Sequence, residues 1–264
     1  MRKKKYKISI LITNYNKSKF LKKSLNSVLR QDYRNYEIIL YDDCSTDSSL
    51  KILKEYKKIK LIKNTKRDIK NTGAQNQTKG ILQAFKKSKG QIICLMDSDD
   101  FFFRNKLRVI NDFYQKNKNC NCVFNLPKTN KDLFNIKKKN NNKSIWPSIF
   151  PTSCVTLRRS SFLKFIKYIR KSDFPNLEID ARITIFSSFF WNEYNLINKK
   201  LTFYSYDQNG ITSNIKKFSK VWWIRRKEAY IYLEYIMNKK KIFFKTSIDY
   251  YITSLVSFFL KINH

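Results

Sequence analysis

Short apolar runs alternate with segments of helical spacing through roughly the first hundred residues. The apolar runs lie at residues 7–13, 37–41, 59–63 and 92–96 and are rich in Ile and Leu. Runs of this length between polar turns are typical of strands buried on both faces of a parallel sheet. Between them, apolar residues recur at every third or fourth position, which predicts amphipathic helices. The resulting β-α-β-α-β-α-β order predicts an α/β fold with a mainly parallel, doubly wound sheet and helices on both faces.

The segment before the fourth strand and the chain after it follow this pattern less regularly. Residues 64–77 are polar and predict a loop, and a helix is expected from about Thr78 until Gly90 ends it. Residues 127–149 are rich in Lys and Asn and predict a surface loop. Further strands are expected at residues 122–126, 153–157 and 201–206.

Carboxylates follow two of the predicted strands directly. Asp42 and Asp43 come after the second strand, and Asp97, Asp99 and Asp100 come after the fourth. Ligands of such sheets bind outside the carboxyl ends of the strands, and residues i and i+2 of an extended segment point the same way. Asp97 and Asp99 are therefore expected to face one point, where a divalent cation on a diphosphate is one interpretation. The other is an acidic loop solvated beside Lys and Arg.

The composition limits which partners and which catalytic side chains this protein can use. The 264 residues carry a formal net charge of +35, which suggests polyanionic partners such as nucleic acid, phosphorylated glycans or an anionic membrane surface. A general Lys- and Asn-rich composition would explain the same charge without a function. His264 is the only histidine, so acid–base chemistry is expected from Asp, Glu, Lys, Cys or Tyr. The five cysteines lack a CxxC pair, which indicates neither a disulfide framework nor a zinc site.

Two helices are predicted in the C-terminal part of the chain. Apolar residues repeat at helical spacing over residues 222–236 and again over residues 244–259, with Lys239, Lys240 and Lys241 between them. One interpretation is a helical pair that packs on the core. The other is an interfacial segment whose aromatic residues and basic flanks contact an anionic bilayer.

The motifs of the first half have a family resemblance. The stretch SILITNYN, then YDDCSTDSS, then GQIICLMDSDD, in this order, resembles the inverting glycosyltransferases of family 2, which have a GT-A fold. The resemblance is close over residues 7–100 and loose over the remainder. It implies transfer of a sugar from a nucleotide-sugar, with a UDP-sugar expected, to a glycan or lipid-linked acceptor in cell-surface polysaccharide or lipopolysaccharide synthesis.

The resemblance also implies roles for residues that would bind the nucleotide. Thr13 and Tyr15 would line the base pocket, and Asp43 would hydrogen-bond a uracil-type base. Many members carry an arginine near the diphosphate, just before the fourth strand. Residues 73–79 contain none here, and Lys79 is the implied substitute.

The remaining implied roles belong to carboxylates. Asp97 would lie near the ribose, Asp99 would coordinate Mn²⁺ or Mg²⁺ with Asp97 as a candidate second ligand, and Asp100 would lie near the donor sugar. The family places its catalytic base in an acidic motif at a helix start, which Asp180 matches best and Glu178 next. Asp180 lies in the first turn of a predicted helix with Asn176 as its N-cap, where the helix dipole favours an ionised carboxylate. An ordinary helix-terminal carboxylate is the alternative.

The resemblance divides the chain into two regions. A GT-A glycosyltransferase domain is expected over residues 1–210, with a nucleotide-sugar-binding half at 1–105 and an acceptor half at 106–210, and an amphipathic helical region over 211–264. No apolar run reaches the ~18–20 residues of a spanning helix, and no secretory signal precedes the first strand. The expected location is the cytoplasm, peripherally on the inner face of the cell membrane. Two other functions stay open, a nucleotidyltransferase and a basic nucleic-acid-binding protein, although the acidic sheet edge argues against a specific nucleic-acid partner.

Overall fold

The computed structural model describes residues 5–129, 149–169, 173–205, 210, 215–243 and 247–262. Within these residues the strands are β1 (Ile8–Asn14), β2 (Tyr36–Asp42), β3 (Ile59–Lys63), β4 (Ile92–Asp97), β5 (Phe101–Phe102), β6 (Cys122–Lys128), β7 (Val155–Arg158) and β8 (Asn195–Phe203). The helices are α1 (Ser18–Leu29), α2 (Ser49–Lys54), α3 (Gly73–Lys86), α4 (Lys106–Lys116), α5 (Arg159–Ile166), α6 (Ile179–Ile185), α7 (Lys220–Lys240) and α8 (Ile248–Phe259). A 3-10 turn at Thr152–Cys154 precedes β7, and a π-helical turn at Phe186–Phe190 follows α6.

The strands form one sheet in the order β3-β2-β1-β4-β7-β6-β8-β5. The pairs β1–β2, β1–β4 and β2–β3 are parallel, which confirms the predicted parallel half. The second half mixes directions, because β7 runs antiparallel to both β4 and β6, and β5 runs antiparallel to β8. The carboxyl ends of β1, β2 and β4 therefore meet at one edge of the sheet.

Helices cover both faces of the sheet, as predicted. Ile10 and Ile12 of β1 join the core beneath α1, α2 and α4, whereas Leu11 between them joins the core beneath α3, α5, α6 and α7. All three side chains are fully buried, and each stabilises the fold by ~1.5–3 kcal/mol. Burial on both faces explains why the strands are continuous apolar runs rather than alternating ones.

Helix α3 begins five residues earlier than predicted, so the expected loop over residues 64–77 is wrong in its last part. Thr72 is the N-cap: its hydroxyl accepts from the Gln75 backbone N–H, and the Gln75 side chain accepts from the Thr72 backbone N–H. This capping box was readable in the sequence as Thr-x-x-Gln. At Gly80 a Cβ would lie 2.7 Å from the Tyr41 ring, so glycine lets α3 pack closely on the sheet.

The two C-terminal helices have different surroundings. Ala229, Leu233 and Ile236 of α7 are fully buried in the core that α6 shares, so α7 packs on the core. Helix α8 contacts α7 and leaves a row of large apolar side chains exposed. In the described part of the chain, no helix combines the length and apolar character needed to span a membrane. The division at residue 210 stays a prediction, and Phe244 and residues 130–148 of the predicted loop lie outside the described residues.

Candidate active site

A cavity of about 450 Å³ opens at the carboxyl ends of β1, β2 and β4. Its size is that of a small-molecule site. Thr13 of β1 lies between Tyr41 of β2 and Asp97 of β4 in register, so three strands deliver side chains to the same wall. Further lining comes from the 3-10 turn, from the start of α6 with Asp180, and from Arg225 of α7. The cavity thus joins the regular first half of the sheet to elements far along the chain.

Asp97 is held by hydrogen bonds on the cavity wall. The Gln77 side chain donates to Asp97 Oδ1 at 2.7 Å, and Thr13 Oγ1 lies 3.3 Å from the same oxygen. The Asp97 backbone N–H donates to Ser153 Oγ at 2.9 Å. Burial, and next the charge of Asp99, raise the pKa of Asp97 to about 6. Two carboxylates in this position therefore favour a positively charged ligand.

Of the acidic pair at the end of β2, Asp42 is structural and Asp43 lines the cavity. Asp42 accepts from Asn14 Nδ2 at 2.7 Å and from the Ser45 hydroxyl at 2.7 Å, which ties the β1 turn to the β2 turn. Asp43 lines the cavity and accepts from Asn64 Nδ2 at 2.8 Å. Burial raises the pKa of Asp43, while the hydrogen bond from Asn64 opposes that shift. Asp43 is the member of the pair that can meet a ligand.

Arg67 is a site residue that the sequence did not single out. Its guanidinium carbon lies 3.3 Å from the centroid of the Tyr15 ring, and Nη1 lies 3.5 Å from Asp43 Oδ2. Stacking on an aromatic face and pairing with a carboxylate suit the planar guanidinium. Arg67 therefore supplies a cation beside Tyr15 and Asp43, two of the three residues predicted to bind the base. Lys79 is not among the residues that line the cavity, and its charge acts on Asp43 from α3.

Asp99 and Asp100, which follow Asp97 along the chain, have different surroundings. Asp99 lines the cavity and forms an ion pair with Lys17, with Nζ and Oδ2 2.9 Å apart. Asp100 is buried, and its Oδ1 accepts from the Ser205 backbone N–H at 2.8 Å. Burial, with Asp99 and Asp97 nearby, raises the pKa of Asp100 well above its ordinary value. Of the two, Asp99 is the one available to a ligand.

Asp180 lines the same cavity from the first turn of α6. Its Oδ1 accepts from the Ala181 backbone N–H at 2.7 Å, and Thr152 Oγ1 lies 3.4 Å from its Oδ2. Burial, then the charges of Glu178 and Asp97, raise the pKa of Asp180 to about 7. The expectation that the helix dipole holds Asp180 ionised is therefore incomplete, because burial and two neighbouring carboxylates act against it. A pKa near 7 suits a general base at neutral pH.

Two side chains connect Asp180 to Asp97. Gln77 Nε2, which donates to Asp97, also lies 3.4 Å from Thr152 Oγ1, and Thr152 in turn contacts Asp180. The connection spans α3, the 3-10 turn and α6. It fixes the relative positions of Asp97 and Asp180.

Glu178, the other candidate base, is bound by Arg225. Arg225 Nη2 donates to Glu178 Oε2 at 2.5 Å, and Arg225 Nε donates to the same oxygen at 3.2 Å. Glu178 occupies the N-cap position of α6, so the predicted N-cap Asn176 is wrong. Asn176 instead donates through its backbone and its side chain to Glu228 of α7, both at 2.8 Å. Helix α7 thus anchors the segment that leads into α6 and ends at Glu178, two residues before Asp180.

A buried lysine holds the segment next to Asp97. Lys106 is fully buried and donates to the Ser153 carbonyl at 2.5 Å and to Thr202 Oγ1 at 2.7 Å. Burial lowers its pKa to about 8. The Ser153 hydroxyl also accepts from the Asp97 backbone N–H. Lys106 therefore stabilises the position of Ser153, which in turn holds Asp97. A lysine at the start of α4 reads as a surface residue in the sequence, and no pattern there marks it.

Asp97 and Asp99 fit a divalent cation. Carboxylate oxygens are the ligands that Mg²⁺ and Mn²⁺ prefer, and Mg²⁺ takes one or two of them beside phosphate oxygens. The Lys17 ammonium group already neutralises Asp99. Within the described ranges no group of three or more His, Cys, Asp or Glu side chains can together hold a metal ion. A cation here would therefore take its remaining ligands from the bound donor or from water.

Sequence comparison places the chain among known glycosyltransferases. The profile of glycosyl transferase family 2 matches residues 9–233. A Rickettsia bellii protein described as an uncharacterized glycosyltransferase is 32% identical over 158 residues, covering 57% of this chain and 22% of that protein. The poly(ribitol-phosphate) beta-N-acetylglucosaminyltransferase TarS of Staphylococcus aureus is 30% identical over 104 residues, covering 39% of this chain and 18% of TarS. The chain thus spans less than a quarter of the length of these relatives.

Solved structures share the fold. The crystal structure of S. aureus TarS 1–349 in complex with UDP-GlcNAc has a TM-score of 0.65 at 16% identity and covers 97% of this chain and 76% of that one. The mannosyltransferase PcManGT of Pyrobaculum calidifontis, in complex with GDP-Man and Mn²⁺, has a TM-score of 0.56 at 13% identity and covers 98% and 71%. The architecture is therefore the GT-A fold, as the sequence predicted. Because the family profile spans most of its length, the chain belongs to glycosyl transferase family 2.

Proposed function

We propose that this glycosyltransferase inverts the anomeric centre of a nucleotide-sugar in the cavity between β1, β2, β4 and α6. One observation carries the proposal: Asp180 faces the same cavity as Asp97 and Asp99, and Gln77 and Thr152 connect the two sides. Family membership favours sugar transfer over the two alternatives, a nucleotidyltransferase and a nucleic-acid-binding protein.

Asp180 is the proposed general base. Its carboxylate takes the proton from an acceptor hydroxyl while the hydroxyl oxygen forms a bond to the anomeric carbon. The bond from that carbon to the diphosphate oxygen breaks, and the nucleoside diphosphate leaves from the opposite face. Glu178 is the weaker candidate, because its carboxylate is already bound by Arg225 at 2.5 Å.

Donor binding is assigned to the residues at the ends of β1 and β2. Tyr15 is half-exposed and offers a ring for stacking, while Asp43 offers a hydrogen-bond acceptor to a base. Thr13 and Asp97 line the adjoining wall. Arg67 lies against Tyr15 and Asp43 and is a better candidate than Lys79 for neutralising the diphosphate. We propose a uracil nucleotide, which is the nucleotide named in the TarS complex.

A divalent cation, Mn²⁺ or Mg²⁺, is the proposed cofactor, with Asp99 as a ligand and Asp97 as a candidate second one. When bound, such a cation neutralises charge on the departing diphosphate. The Lys17 ammonium group would have to move from Asp99 when the cation binds. The Mn²⁺ named in the PcManGT complex supports this assignment. Asp100 is kept as a residue behind the donor-sugar position, because it is buried beside Asp99 rather than exposed in the cavity.

The proposed acceptor is a glycan or lipid-linked glycan of the cell surface. TarS is named a poly(ribitol-phosphate) beta-N-acetylglucosaminyltransferase, so the acceptor that its name gives is poly(ribitol-phosphate). We place the reaction at the inner face of the cell membrane. The free state of all five cysteines is consistent with a reducing compartment.

A donor screen tests the function. Purified protein is heated with individual nucleotide-sugars in the presence of Mn²⁺, since a ligand that binds the native state raises its melting temperature. A UDP-sugar is expected to give the largest increase, and NMR of the product should then reveal an inverted anomeric configuration. Retention of configuration, or stabilisation by nucleoside triphosphates but by no nucleotide-sugar, would refute the proposal.

A further inference from the structure

Helix α8 presents its polar side to the protein. Asp249 accepts a hydrogen bond from the Tyr230 hydroxyl at 2.5 Å and pairs with Arg226. Thr253 and Ser257, one and two turns further on, are buried against the protein. The side of α8 that faces α7 is therefore built from charges and hydroxyls. This is the reverse of an ordinary surface helix, which buries its apolar side.

The opposite side of α8 is apolar and uncovered. Ile248 and Phe258 are each 79% exposed, and Leu255 between them is 59% exposed. Six large apolar side chains share this side, which we call the outer face of α8: Ile248, Tyr251, Ile252, Leu255, Phe258 and Phe259. Their spacing of three or four residues forms one continuous stripe, ~18 Å long for a helix of twelve residues. A stripe of this size marks an interaction surface.

Cations stand at both ends of the stripe. Lys239 and Lys241 are exposed just before Phe243, which is itself 90% exposed and precedes α8. Lys261 is exposed directly after the helix. The acidic residue of α8, Asp249, faces inward to Arg226. The outer face is therefore an apolar stripe between positive charges, with no carboxylate of α8 upon it.

We propose that the outer face of α8 docks on an anionic lipid bilayer. An apolar stripe bounded by lysines matches the acyl region and the anionic headgroups of one leaflet, where amphipathic helices lie in plane, buried ~5–10 Å. A second copy of the chain fits less well, because a symmetric contact would bring the same lysines of a chain of charge +35 together. The surface stands apart from the cavity, so this inference does not depend on the proposed reaction.

Vesicle co-sedimentation of the full chain tests the proposal. The probes are vesicles of phosphatidylcholine alone and vesicles in which part of it is replaced by phosphatidylglycerol. Binding is expected to the anionic vesicles and to weaken at high salt, because salt screens the lysines. The double variant Leu255→Ser/Phe258→Ser should need about tenfold more lipid, or more, for half-maximal binding. The triple variant Lys239→Gln/Lys241→Gln/Lys261→Gln should bind the anionic vesicles more weakly than the wild type does.

A matched control separates the outer face from general surface hydrophobicity. Leu163 of α5 is 50% exposed, so Leu163→Ser removes a comparable side chain elsewhere and should leave vesicle binding unchanged. Melting curves verify that every variant is folded, as expected for exposed positions. Equal binding of the wild type and the Leu255→Ser/Phe258→Ser variant would overturn the proposal. So would a dimer in sedimentation velocity that this variant dissociates while neither vesicle binds, since the face would then join two copies.

Discussion

Arg225 of α7 donates to Glu178 Oε2 at 2.5 Å, two residues before the candidate base Asp180. Both partners are largely buried, with side chains 14% and 6% exposed. The second anchor, Glu228, lies one turn along the same helix and holds Asn176. Helix α7, for which the sequence left a membrane contact open, thus anchors the segment just before the candidate base.

Removing the Arg225 side chain should destabilise the protein through Glu178. Arg225→Gln leaves a buried carboxylate without its cation, which typically costs about 3–5 kcal/mol. The Arg225→Gln/Glu178→Gln double variant should recover part of that loss, because neither charge remains. Urea unfolding of the wild type, both single variants and the double variant measures the coupling. If the two single effects add, the ion pair contributes nothing of its own.

Substituting the two acidic residues at the start of α6 should separate their roles. Asp180→Asn should lower kcat by about 10²–10⁴, the contribution of a positioned base, and should leave donor binding nearly unchanged. Glu178→Gln should lower kcat much less, because Glu178 is occupied by Arg225. Steady-state kinetics with a confirmed donor and acceptor, beside donor titrations, measure both. The reverse order of effects would make Glu178 the base.

The pH dependence of catalysis should report Asp180. Its pKa of about 7 means that the carboxylate form, which accepts the proton, is lost below neutral pH. The ratio kcat/KM should therefore rise with pH through about 7 and then level. If kcat/KM stays constant from about pH 5 to about pH 8, an interval that contains the pKa of about 7, Asp180 is excluded as the titrating base.

The same carboxyl should affect folding stability with the opposite sign. Its folded pKa of about 7 is above its ordinary value of 3.8, so the native state binds the proton more tightly. Its stabilising effect is complete below the ordinary value and is lost as pH rises through about 7. The unfolding free energy of Asp180→Asn, relative to the wild type, should accordingly increase with pH across this interval. No change in that difference would mean that Asp180 is not protonated in the native state at acidic pH.

Activity should depend on a divalent cation. Chelation with EDTA should abolish turnover, and Mn²⁺ or Mg²⁺ should restore it, because carboxylates and phosphate oxygens together form the ligand set. Asp99→Asn should raise the metal concentration needed for half-maximal activity. Asp32→Asn is the matched control, since Asp32 pairs with Arg108 and does not line the cavity. Undiminished turnover in EDTA would leave charge neutralisation to Lys17 and Arg67.

Nucleotide affinity should depend on Asp43. Asp43→Ala should weaken UDP binding by about 1.5–3 kcal/mol, the contribution of a hydrogen bond to a charged group. Asp68→Ala removes an exposed carboxylate from the neighbouring loop and should change nothing. Calorimetric titration of each folded variant with UDP provides the comparison. Equal affinities for UDP would remove Asp43 from the nucleotide site.

The sequence determined the first half of the fold and the edge at which the cavity lies. Continuous apolar runs require burial on both faces, and short runs joined by helical segments leave a parallel sheet as the solution. That arrangement brings the carboxyl ends of β1, β2 and β4 to one edge of the sheet. The candidate carboxylates Asp43, Asp97 and Asp99 were therefore predictable from local pattern alone.

Only the tertiary structure decided which distant side chains complete the site. The local sequence gives no signal for Arg67, Lys17, Thr152 and Arg225, because their partners lie tens of residues away along the chain. The pKa of Asp180 also depends on distant parts of the chain. Its helix position favours the ionised form, whereas burial and the charges of Glu178 and Asp97 raise the pKa to about 7. Periodicity records which side of an element is buried, but not which element covers it.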